Sequence, residues 1–318
     1  MKNPAFKLIY NTIRLVRPRQ WIKNFAIFAA ITFGGELFNP IFFQKVFLGF
    51  IVFCLLSSAT YIINDVFDIK KDKLHPFKKF RPLAHNDLPV TLAVFLSALF
   101  ILLSFVISVN VTRSFFLVTL VYLGIQFLYS SFLKTIAVVD ILAIAAGYIL
   151  RVYAGEFATG LHLSVWLLLT TISISLFLAV GKRRSELTLI SGLGGANIAA
   201  TRKSLSHYSE RLLDVYASIF ATSTFITYSL FTFLENSKGF KLTLGVLLPE
   251  FLPAFFQRKW LMITIIPVVY GLMRYLQDVY EKHEGESPER VLLSDIPLLI
   301  TVGVWAVLVI GIIYFVGP

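Results

Sequence analysis

The stretch Ile63 to Asp72, INDVFDIKKD, places three carboxylates and one amide close together, directly after an almost uncharged segment. If a helix through that segment continues, Asn64, Asp68 and Asp72 recur every four residues, with Asp65 three residues before Asp68. All four side chains then project from roughly one side of the helix. Carboxylates this close repel one another unless a cation joins them, and Mg²⁺ takes such oxygen ligands together with substrate phosphates. The spacing predicts a Mg²⁺ site. The alternative is a solvated helix end whose aspartates pair with the nearby lysines Lys70, Lys71 and Lys73.

A basic loop follows this helix end. Its cations are Lys73, His75, Lys78, Lys79 and Arg81, and Pro76 and Pro82 restrict its backbone. Carboxylates beside several cations suit a Mg²⁺-diphosphate or a sugar phosphate, because the metal bridges phosphate oxygens while Lys and Arg neutralise the remaining charge. The alternative is attraction to anionic lipid headgroups, worth about 1 kcal/mol per basic residue.

A third charged cluster ends another apolar segment, in the sequence AVGKRRSELT. On a helix, Lys182 and Glu186 lie about one turn apart, with Arg183 and Arg184 between them. Cations favour a helix C-terminus, so an anchor at the membrane surface is one explanation. A glutamate among three cations is less expected of an anchor, and the cluster is therefore a second candidate for phosphate binding.

The composition is that of a membrane protein. Of 318 residues, 57% are hydrophobic and 15% are charged, against about a quarter charged in soluble domains, and the mean hydropathy is +0.78. The single Cys54 excludes a disulfide framework and a cysteine-based metal site. The net charge of +11 belongs mainly to loops on one membrane face, so we expect no nucleic-acid partner.

Nine apolar segments are long enough to cross a bilayer, which takes about 20 residues. They are predicted at 20–38, 41–63, 89–110, 114–133, 136–156, 161–181, 208–234, 259–280 and 297–316. With the N-terminus in the cytoplasm, most Lys and Arg residues fall in inside loops, as the positive-inside rule requires. The prediction is one all-α membrane domain, residues 1–318, with its N-terminus inside and its C-terminus outside.

Four stretches together resemble the UbiA-type intramembrane prenyltransferase superfamily, and within it the decaprenyl-phosphate phosphoribosyltransferases of arabinan precursor synthesis. They are RPRQWIKN (17–24), NDVFDIKKDKLHPFKKFRP (64–82), LYSSFLKTIAVVDILAIAAGYILRVYAG (128–155) and GKRRSEL (181–187). The resemblance covers essentially the whole chain, whereas NDxxDxxxD alone identifies only the superfamily. It implies a nine-helix bundle in the plasma membrane, around a cavity open to the cytoplasm.

The chain departs from the wider superfamily at one motif. Quinone-forming members carry a second aspartate-rich motif, DxxxD, after the sixth helix, where this chain has Lys182, Arg183, Arg184 and Glu186. The resemblance therefore implies a donor with an additional phosphate, phosphoribosyl diphosphate, in place of a prenyl diphosphate. Two milder departures are Lys73, where the nearest branch usually has arginine, and Asn86, where it usually has glycine.

The implied reaction is Mg²⁺-dependent transfer of a 5-phosphoribosyl group from phosphoribosyl diphosphate to a polyprenyl phosphate of decaprenyl type, with release of diphosphate. Asp65 and Asp68 are the implied catalytic residues, and they hold Mg²⁺ together with Asn64 and Asp72. The implied substrate-binding residues are Lys23, Asn24, Lys73, His75, Lys78, Arg81, Tyr129, Lys134, Asp140, Lys182, Arg183, Glu186 and Tyr208. For Tyr208, an interfacial aromatic is an equal explanation.

Several points stay open at the level of sequence. Arg151 shares a helix face with Asp140, and we expect it near the outer side of its span, snorkelling or paired with Glu156. Prenyl transfer from a polyprenyl diphosphate to an aromatic acceptor such as 4-hydroxybenzoate is an alternative function, and membrane transport is another. The length of the lipid, the oligomeric state and the role of the segment 236–258 are not determined.

Overall fold

The computed structural model describes residues 4–74, 78–192, 203–234, 259–282 and 288–316, and every regular element in these ranges is helical. In chain order they are α1 (Pro4–Val16), a 3₁₀ segment (Pro18–Phe28), α2 (Ala29–Phe33), α3 (Pro40–Leu74), α4 (Val90–Val109), α5 (Arg113–Ser131), α6 (Val139–Thr159), α7 (Val165–Gly192), α8 (Glu210–Leu234), α9 (Ile265–Gln277), α10 (Pro288–Ser294) and α11 (Ile296–Gly311). Short 3₁₀ turns lie at Lys78–Phe80, Leu133–Thr135, Lys203–His207 and Trp260–Thr264. Two π-helical turns, Asp278–Lys282 and Ile312–Val316, extend α9 and α11. The prediction of an all-α protein is confirmed.

Eight helical stretches in the described residues are long and apolar enough to cross a membrane. They are Pro40–Lys73, Val90–Val109, Arg113–Ser131, Val139–Thr159, Val165–Leu189, Glu210–Leu234, Trp260–Glu281 and Ile296–Phe315. These correspond to the second through ninth predicted spans, and the protein is a multi-pass membrane protein. The segment 236–258 lies outside the described residues, which resume at Lys259.

The first predicted span, 20–38, differs from the expectation of a long α-helix. The chain forms 11 residues of 3₁₀ helix and then the 5-residue α2, so the prediction of nine long helices is not confirmed. Hydropathy reports apolar content and not the winding of the backbone. With three residues per turn, residues three apart lie directly above one another. Gln20 and Lys23 therefore share one stripe of the segment, and Trp21, Asn24 and Ile27 share another.

Helix α3 carries the acidic stretch beyond the membrane. Its 35 residues correspond to about 52 Å at 1.5 Å per residue, against about 30 Å for the hydrocarbon core of a bilayer. Pro40 opens the helix, a position where its missing N–H costs nothing, and no break occurs at Ile63. The continuous helix that the Mg²⁺ prediction requires through Asp72 is therefore present.

The basic loop after α3 is anchored to the rest of the fold by apolar and polar contacts. Leu83 and Leu88 are buried in a core cluster with Leu15 of α1. Arg14 Nη2 donates a 2.8 Å hydrogen bond to the carbonyl oxygen of Phe80. Asn86 has φ 61°, a left-handed conformation that asparagine tolerates better than most residues. This backbone geometry suits asparagine or glycine at position 86.

The 3₁₀ segment packs closely on α6 at a glycine. A Cβ atom built on Gly155 would lie 1.9 Å from the carbonyl oxygen of Ile27, whereas one built on Gly124 of α5 would meet no atom within 4 Å. Only a residue without a side chain allows this approach of the two backbones. The contact fixes the 3₁₀ segment, and with it Lys23 and Asn24, against the centre of the bundle.

We expect Gly155→Ala to destabilise the protein by about 3 kcal/mol, because relieving the clash must displace the backbone of the 3₁₀ segment. The thermal unfolding midpoint of the detergent-solubilised protein measures the effect. Gly124→Ala is the matched control, and should be neutral or stabilise by about 0.5–1 kcal/mol. Equal midpoints for the two variants would contradict the close packing.

Candidate active site

The four predicted metal ligands at the end of α3 form two pairs. In the first pair, Arg81 Nη1 lies 3.0 Å from Asp65 Oδ1 and 2.7 Å from Asp72 Oδ2. Arg17 Nη2 also donates to both oxygens of Asp65, at 2.6 and 2.7 Å. Asp65 and Asp72 are 2% and 5% exposed. Two arginines, Arg17 from before the first span and Arg81 from the loop after α3, therefore neutralise two buried carboxylates.

The second pair consists of Asn64 and Asp68. Lys134 Nζ donates to Asn64 Oδ1 at 3.1 Å and to Asp68 Oδ2 at 2.7 Å. Lys134 is buried, in the 3₁₀ turn Leu133–Thr135 that follows α5. The cation of this pair therefore comes from across the bundle, and not from Lys70, Lys71 or Lys73 of α3 as the alternative interpretation proposed. In both pairs one cationic nitrogen lies between two oxygen atoms.

These residues fit a divalent metal ion by their chemistry. Carboxylate and amide oxygens are the ligands that Mg²⁺ prefers, and in each pair a positively charged nitrogen already bridges two of them. In the described ranges no three His, Cys, Asp or Glu side chains converge as a metal-binding group. Coordination by all four predicted ligands therefore requires Arg81 and Lys134 to turn away from the oxygens.

A cavity of about 160 Å³ adjoins the first pair. Its lining residues are Arg14, Arg17, Asp65, Phe80, Arg81 and Pro82. Three guanidinium groups beside one carboxylate give the cavity a positive character that suits an anion. Arg17 has φ 57° and ψ 59°, a strained left-handed conformation for a residue other than glycine. Such strain often accompanies a functional position, and here it directs the Arg17 side chain at Asp65.

Arg183 of α7 organises the third charged cluster. The side chain is 0% exposed, and its guanidinium contacts Asp140 Oδ2 at 2.7 Å and Glu186 Oε2 at 2.5 Å. Its Nη2 donates to the Tyr129 hydroxyl at 2.9 Å. Lys78 of the basic loop lies 3.3 Å from the other oxygen of Glu186. This network joins α5, α6 and α7 to the basic loop.

Asp140 and Tyr208 lie behind Arg183. Asp140 is 0% exposed, and accepts hydrogen bonds from the Tyr208 hydroxyl at 2.7 Å and the Ser204 hydroxyl at 3.0 Å. Burial and the bond to Asp140 raise the pKa of Tyr208 well above its usual value, so this hydroxyl remains a hydrogen-bond donor. In this structure the two residues support Arg183 from the side opposite Glu186.

A further polar cluster, called the inner cluster below, lies about one turn of α3 from Asp65. Its members are Gln20, Lys23, Tyr61, Tyr148, Lys182, Tyr275 and Glu289. The Lys23 ammonium contacts Glu289 Oε2 at 2.7 Å, and Gln20 donates to the other oxygen of Glu289. Burial would raise the pKa of the Glu289 carboxyl, but the positive charges of Lys23 and Lys182 lower it overall. Glu289 is therefore a buried, ionised carboxylate.

Arg151 forms a buried polar group with Asn24. Arg151 Nε donates to Asn24 Oδ1 at 2.7 Å, and Nη2 donates to the Tyr122 hydroxyl at 2.8 Å. Arg151 is 4% exposed and contacts no carboxylate among the described residues. The expected pairing with Glu156 is absent, because Glu156 accepts from His162 at 2.9 Å. Arg151 instead ties the 3₁₀ segment to α5 and α6.

The sequence profile of the UbiA prenyltransferase family matches residues 24–296, most of the chain. The chain belongs to this family.

Individual relatives agree with this assignment. A decaprenyl-phosphate phosphoribosyltransferase of Mycolicibacterium smegmatis is 35% identical over 316 residues, which cover 98% of this chain and 95% of the relative. One of Mycobacterium tuberculosis is 33% identical over 306 residues, covering 95% and 94%. A solved UbiA homologue from Archaeoglobus fulgidus, bound to GPP and Mg²⁺, matches with a TM-score of 0.66 at 19% identity, over 95% of this chain and 99% of that one. The UbiA-like fold and the resemblance are confirmed, and the protein is a transferase.

The predicted site residues of this UbiA family member lie in separate groups. Lys23 belongs to the inner cluster and Asn24 to the group around Arg151, while Lys73 is exposed. His75 lies outside the described residues. Arg184, adjacent to the predicted pair, points away from the site to Asp214 at 2.7 Å. The other predicted substrate-binding residues lie in or behind the clusters described above, and they are Lys78, Arg81, Tyr129, Lys134, Asp140, Lys182, Arg183, Glu186 and Tyr208.

Sequence reasoning missed several residues of the site, among them Arg17, Gln20 and Glu289. Arg17 lies inside the stretch RPRQWIKN, which carries part of the UbiA resemblance, and its position before Pro18 was the available signal. Gln20 lies in the same stretch. Glu289 has no comparable signal, because it is one of three glutamates in the mixed sequence HEGESPER. Only the folded chain shows which of them reaches Lys23.

Proposed function

We propose that this UbiA family member transfers a 5-phosphoribosyl group from phosphoribosyl diphosphate to a polyprenyl phosphate of decaprenyl type, in a Mg²⁺-dependent reaction that releases diphosphate. The observation that carries the proposal is the arrangement at the end of α3. Two cation-bridged oxygen pairs lie on one helix end, and the first of them adjoins a cavity lined by three arginines. The relatives from M. smegmatis and M. tuberculosis are decaprenyl-phosphate phosphoribosyltransferases, which supports the same reaction.

The residues that would hold Mg²⁺ are Asn64, Asp65, Asp68 and Asp72. When bound, Mg²⁺ would neutralise the negative charge that develops on the leaving diphosphate. Asp65 and Asp68, one in each oxygen pair, are the proposed catalytic carboxylates. Their present partners, Arg81 and Lys134, then become free to contact phosphate oxygens.

The donor phosphates are held by the cations that surround the oxygen pairs. Arg14, Arg17 and Arg81 line the cavity, and Lys78 of the same basic loop lies 3.3 Å from Glu186 Oε1. Arginine presents a planar fork of donors that matches two phosphate oxygens at once. We assign Arg183 and Asp140 a positioning role, since both are fully buried and Arg183 holds Tyr129 and Glu186 in place.

The acceptor supplies its own nucleophile. A phosphate oxygen of the lipid attacks C1 of the ribose, the bond between C1 and the diphosphate oxygen breaks, and its electron pair leaves with the diphosphate. A phosphate monoester is ionised at neutral pH, so the step needs no general base. Large apolar side chains exposed on the helices, such as Phe67 and Phe127, provide a lateral apolar surface for the polyprenyl chain.

We place the site on the cytoplasmic face of the plasma membrane, within a single domain formed by the whole chain. The basic loop and the end of α7 are rich in Lys and Arg, as cytoplasmic segments are under the positive-inside rule. Phosphoribosyl diphosphate is a charged, water-soluble donor, and a site at that face meets it directly.

The function is tested with the purified full-length protein, phosphoribosyl diphosphate labelled in the ribose, a polyprenyl phosphate and Mg²⁺. We expect label to pass into the organic phase, and we expect chelation of divalent ions with EDTA to abolish transfer and added Mg²⁺ to restore it. The acceptor should be varied in chain length. Absence of lipid-soluble label with every acceptor would refute the proposal.

A parallel assay addresses the other transfer reaction open to a UbiA family member. It supplies a polyprenyl diphosphate and 4-hydroxybenzoate under the same conditions. Prenylation of the aromatic acid in place of phosphoribosyl transfer would assign the prenyl reaction instead. Release of diphosphate without transfer to either acceptor would support neither assignment.

A further inference from the structure

The inner cluster contains a carboxylate for which the reaction proposed above has no role. Glu289 lies on the short helix α10, is 5% exposed, and is directed at Lys23. The Gln20 amide also donates to Glu289. A carboxylate that only neutralised Lys23 would not need this second donor. A carboxylate has about four acceptor positions, so two donors leave capacity for further hydroxyl groups.

The separation between the inner cluster and the oxygen pairs is comparable with the size of the donor's ribose. Tyr61 precedes Asp65 by one turn of α3, and its hydroxyl donates to Gln20 Oε1 at 3.1 Å. One turn of an α-helix is 5.4 Å long, a distance comparable with the width of a ribose ring. With the diphosphate at the oxygen pairs, a ribose that extended along α3 by one turn would lie beside Tyr61 and its partner Gln20.

Two further groups show that the inner cluster has binding capacity left. The hydroxyl of Tyr275, a residue 4% exposed, has no hydrogen-bond partner in the described residues. It packs on Gly181, where an added Cβ would lie 2.8 Å away. Lys182, next in the chain, makes no ion pair with any described residue, although its charge acts on Glu289. A hydroxyl donor and a cation together suit an anionic group such as a phosphate.

We propose that Glu289 accepts hydrogen bonds from the ribose hydroxyls of the donor, and so selects a phosphoribosyl donor over a prenyl diphosphate, with Lys182 and Tyr275 facing the 5-phosphate. The inference rests on the proposed function. A carboxylate at a ribose is a recurrent solution, as in dinucleotide sites where an acidic residue binds the 2′-hydroxyl. A prenyl diphosphate has no hydroxyl group to offer, and would leave the buried carboxylate without these partners.

The test measures binding of ribose 5-phosphate, 2-deoxyribose 5-phosphate and inorganic diphosphate to the purified full-length protein by titration calorimetry. We expect the protein to bind ribose 5-phosphate at least about tenfold more tightly than the deoxy compound, as for a hydrogen bond to a charged group. Glu289→Gln should reduce this ratio to within about twofold, since the neutral amide is a weaker acceptor. Binding of inorganic diphosphate should stay within twofold. Glu281→Gln, an exposed carboxylate outside the cluster, is the matched control and should keep the full ratio.

Three results would overturn the inference. The first is equal binding of both sugars by the wild-type protein, a result that needs no variant and stands even where Glu289→Gln fails to fold. The second is a wild-type sugar preference that Glu289→Gln retains. The third is tighter binding of all three ligands by Glu289→Gln to the same extent, which would mean that Glu289 only neutralises Lys23. The proposed function fails separately, when the wild-type protein transfers no label from phosphoribosyl diphosphate. Label transfer by the wild type together with an unchanged sugar preference in the variant removes the inference alone.

Discussion

Asp68→Asn should reduce phosphoribosyl transfer by about 10²- to 10³-fold, the size of effect seen when one electrostatic contact to developing charge is lost. The asparagine keeps the shape of the side chain and an oxygen that can accept from Lys134, now 2.7 Å from Asp68 Oδ2. It removes the negative charge that a divalent ion requires. The effect should therefore appear in turnover and in the Mg²⁺ concentration for half-maximal activity, while the unfolding midpoint changes little.

Asp87→Asn is the matched control for this prediction. Asp87 follows the same basic loop and pairs with Lys7 at 3.1 Å, away from the oxygen pairs. Burial raises the pKa of Asp87, but the hydrogen bond and charge of Lys7, together with His85, lower it overall, so Asp87 is an ionised carboxylate. Its replacement should leave transfer within about twofold, the range usual for a surface ion pair. Full turnover by Asp68→Asn would remove the metal-binding role of the second oxygen pair.

Arg183→Met should lower the free energy of unfolding by about 3–5 kcal/mol, because it removes the cation that lies between two buried carboxylates. Asp140 and Glu186 lie on either side of the guanidinium, at 2.7 and 2.5 Å, and are 0% and 4% exposed. The methionine fills much of the volume, so loss of packing contributes little. Thermal unfolding of the purified protein in detergent measures the change.

The adjacent arginine provides the control. Arg184 pairs with Glu210 and Asp214, whose side chains are 47% and 37% exposed, so water solvates their charges when the arginine is lost. Arg184→Met should cost less than about 1 kcal/mol. Adding Asp140→Asn to Arg183→Met should restore part of the lost stability, since one unpaired charge is removed. Equal shifts for the two single variants would show that the buried network is not a main source of stability.

The sequence was a good guide to the fold wherever the physical signal was local. An apolar segment of about 20 residues predicts a membrane span independently of the residues it packs against. Eight of the nine predicted spans are long helices in the structure. The exception begins with Arg17 in a left-handed conformation followed by Pro18. Hydropathy is the same for 3₁₀ and α winding, so the winding of that segment depends on packing, above all on Gly155.

The sequence predicted the residue types of the candidate site, but it did not predict which cation contacts which of the four ligands. Helical periodicity placed the four ligands on one side of α3, but 100° per residue divides them into two stripes. Asn64 and Asp68 form one stripe, one turn apart, and Asp65 and Asp72 form the other, two turns apart. Which cation meets which stripe is set by tertiary structure, since Arg17 and Lys134 come from elements distant along the chain.

The tight winding of Pro18–Phe28 increases the reach of a short stretch of chain. Eleven 3₁₀ residues rise about 2.0 Å each and the five of α2 about 1.5 Å each, so Pro18–Phe33 extends about 30 Å, the thickness of the hydrocarbon layer. Wound entirely as an α-helix, the same residues would measure about 24 Å and fall short. The tight winding therefore gives sixteen residues the length of one bilayer crossing, for which an α-helix needs about 20 residues.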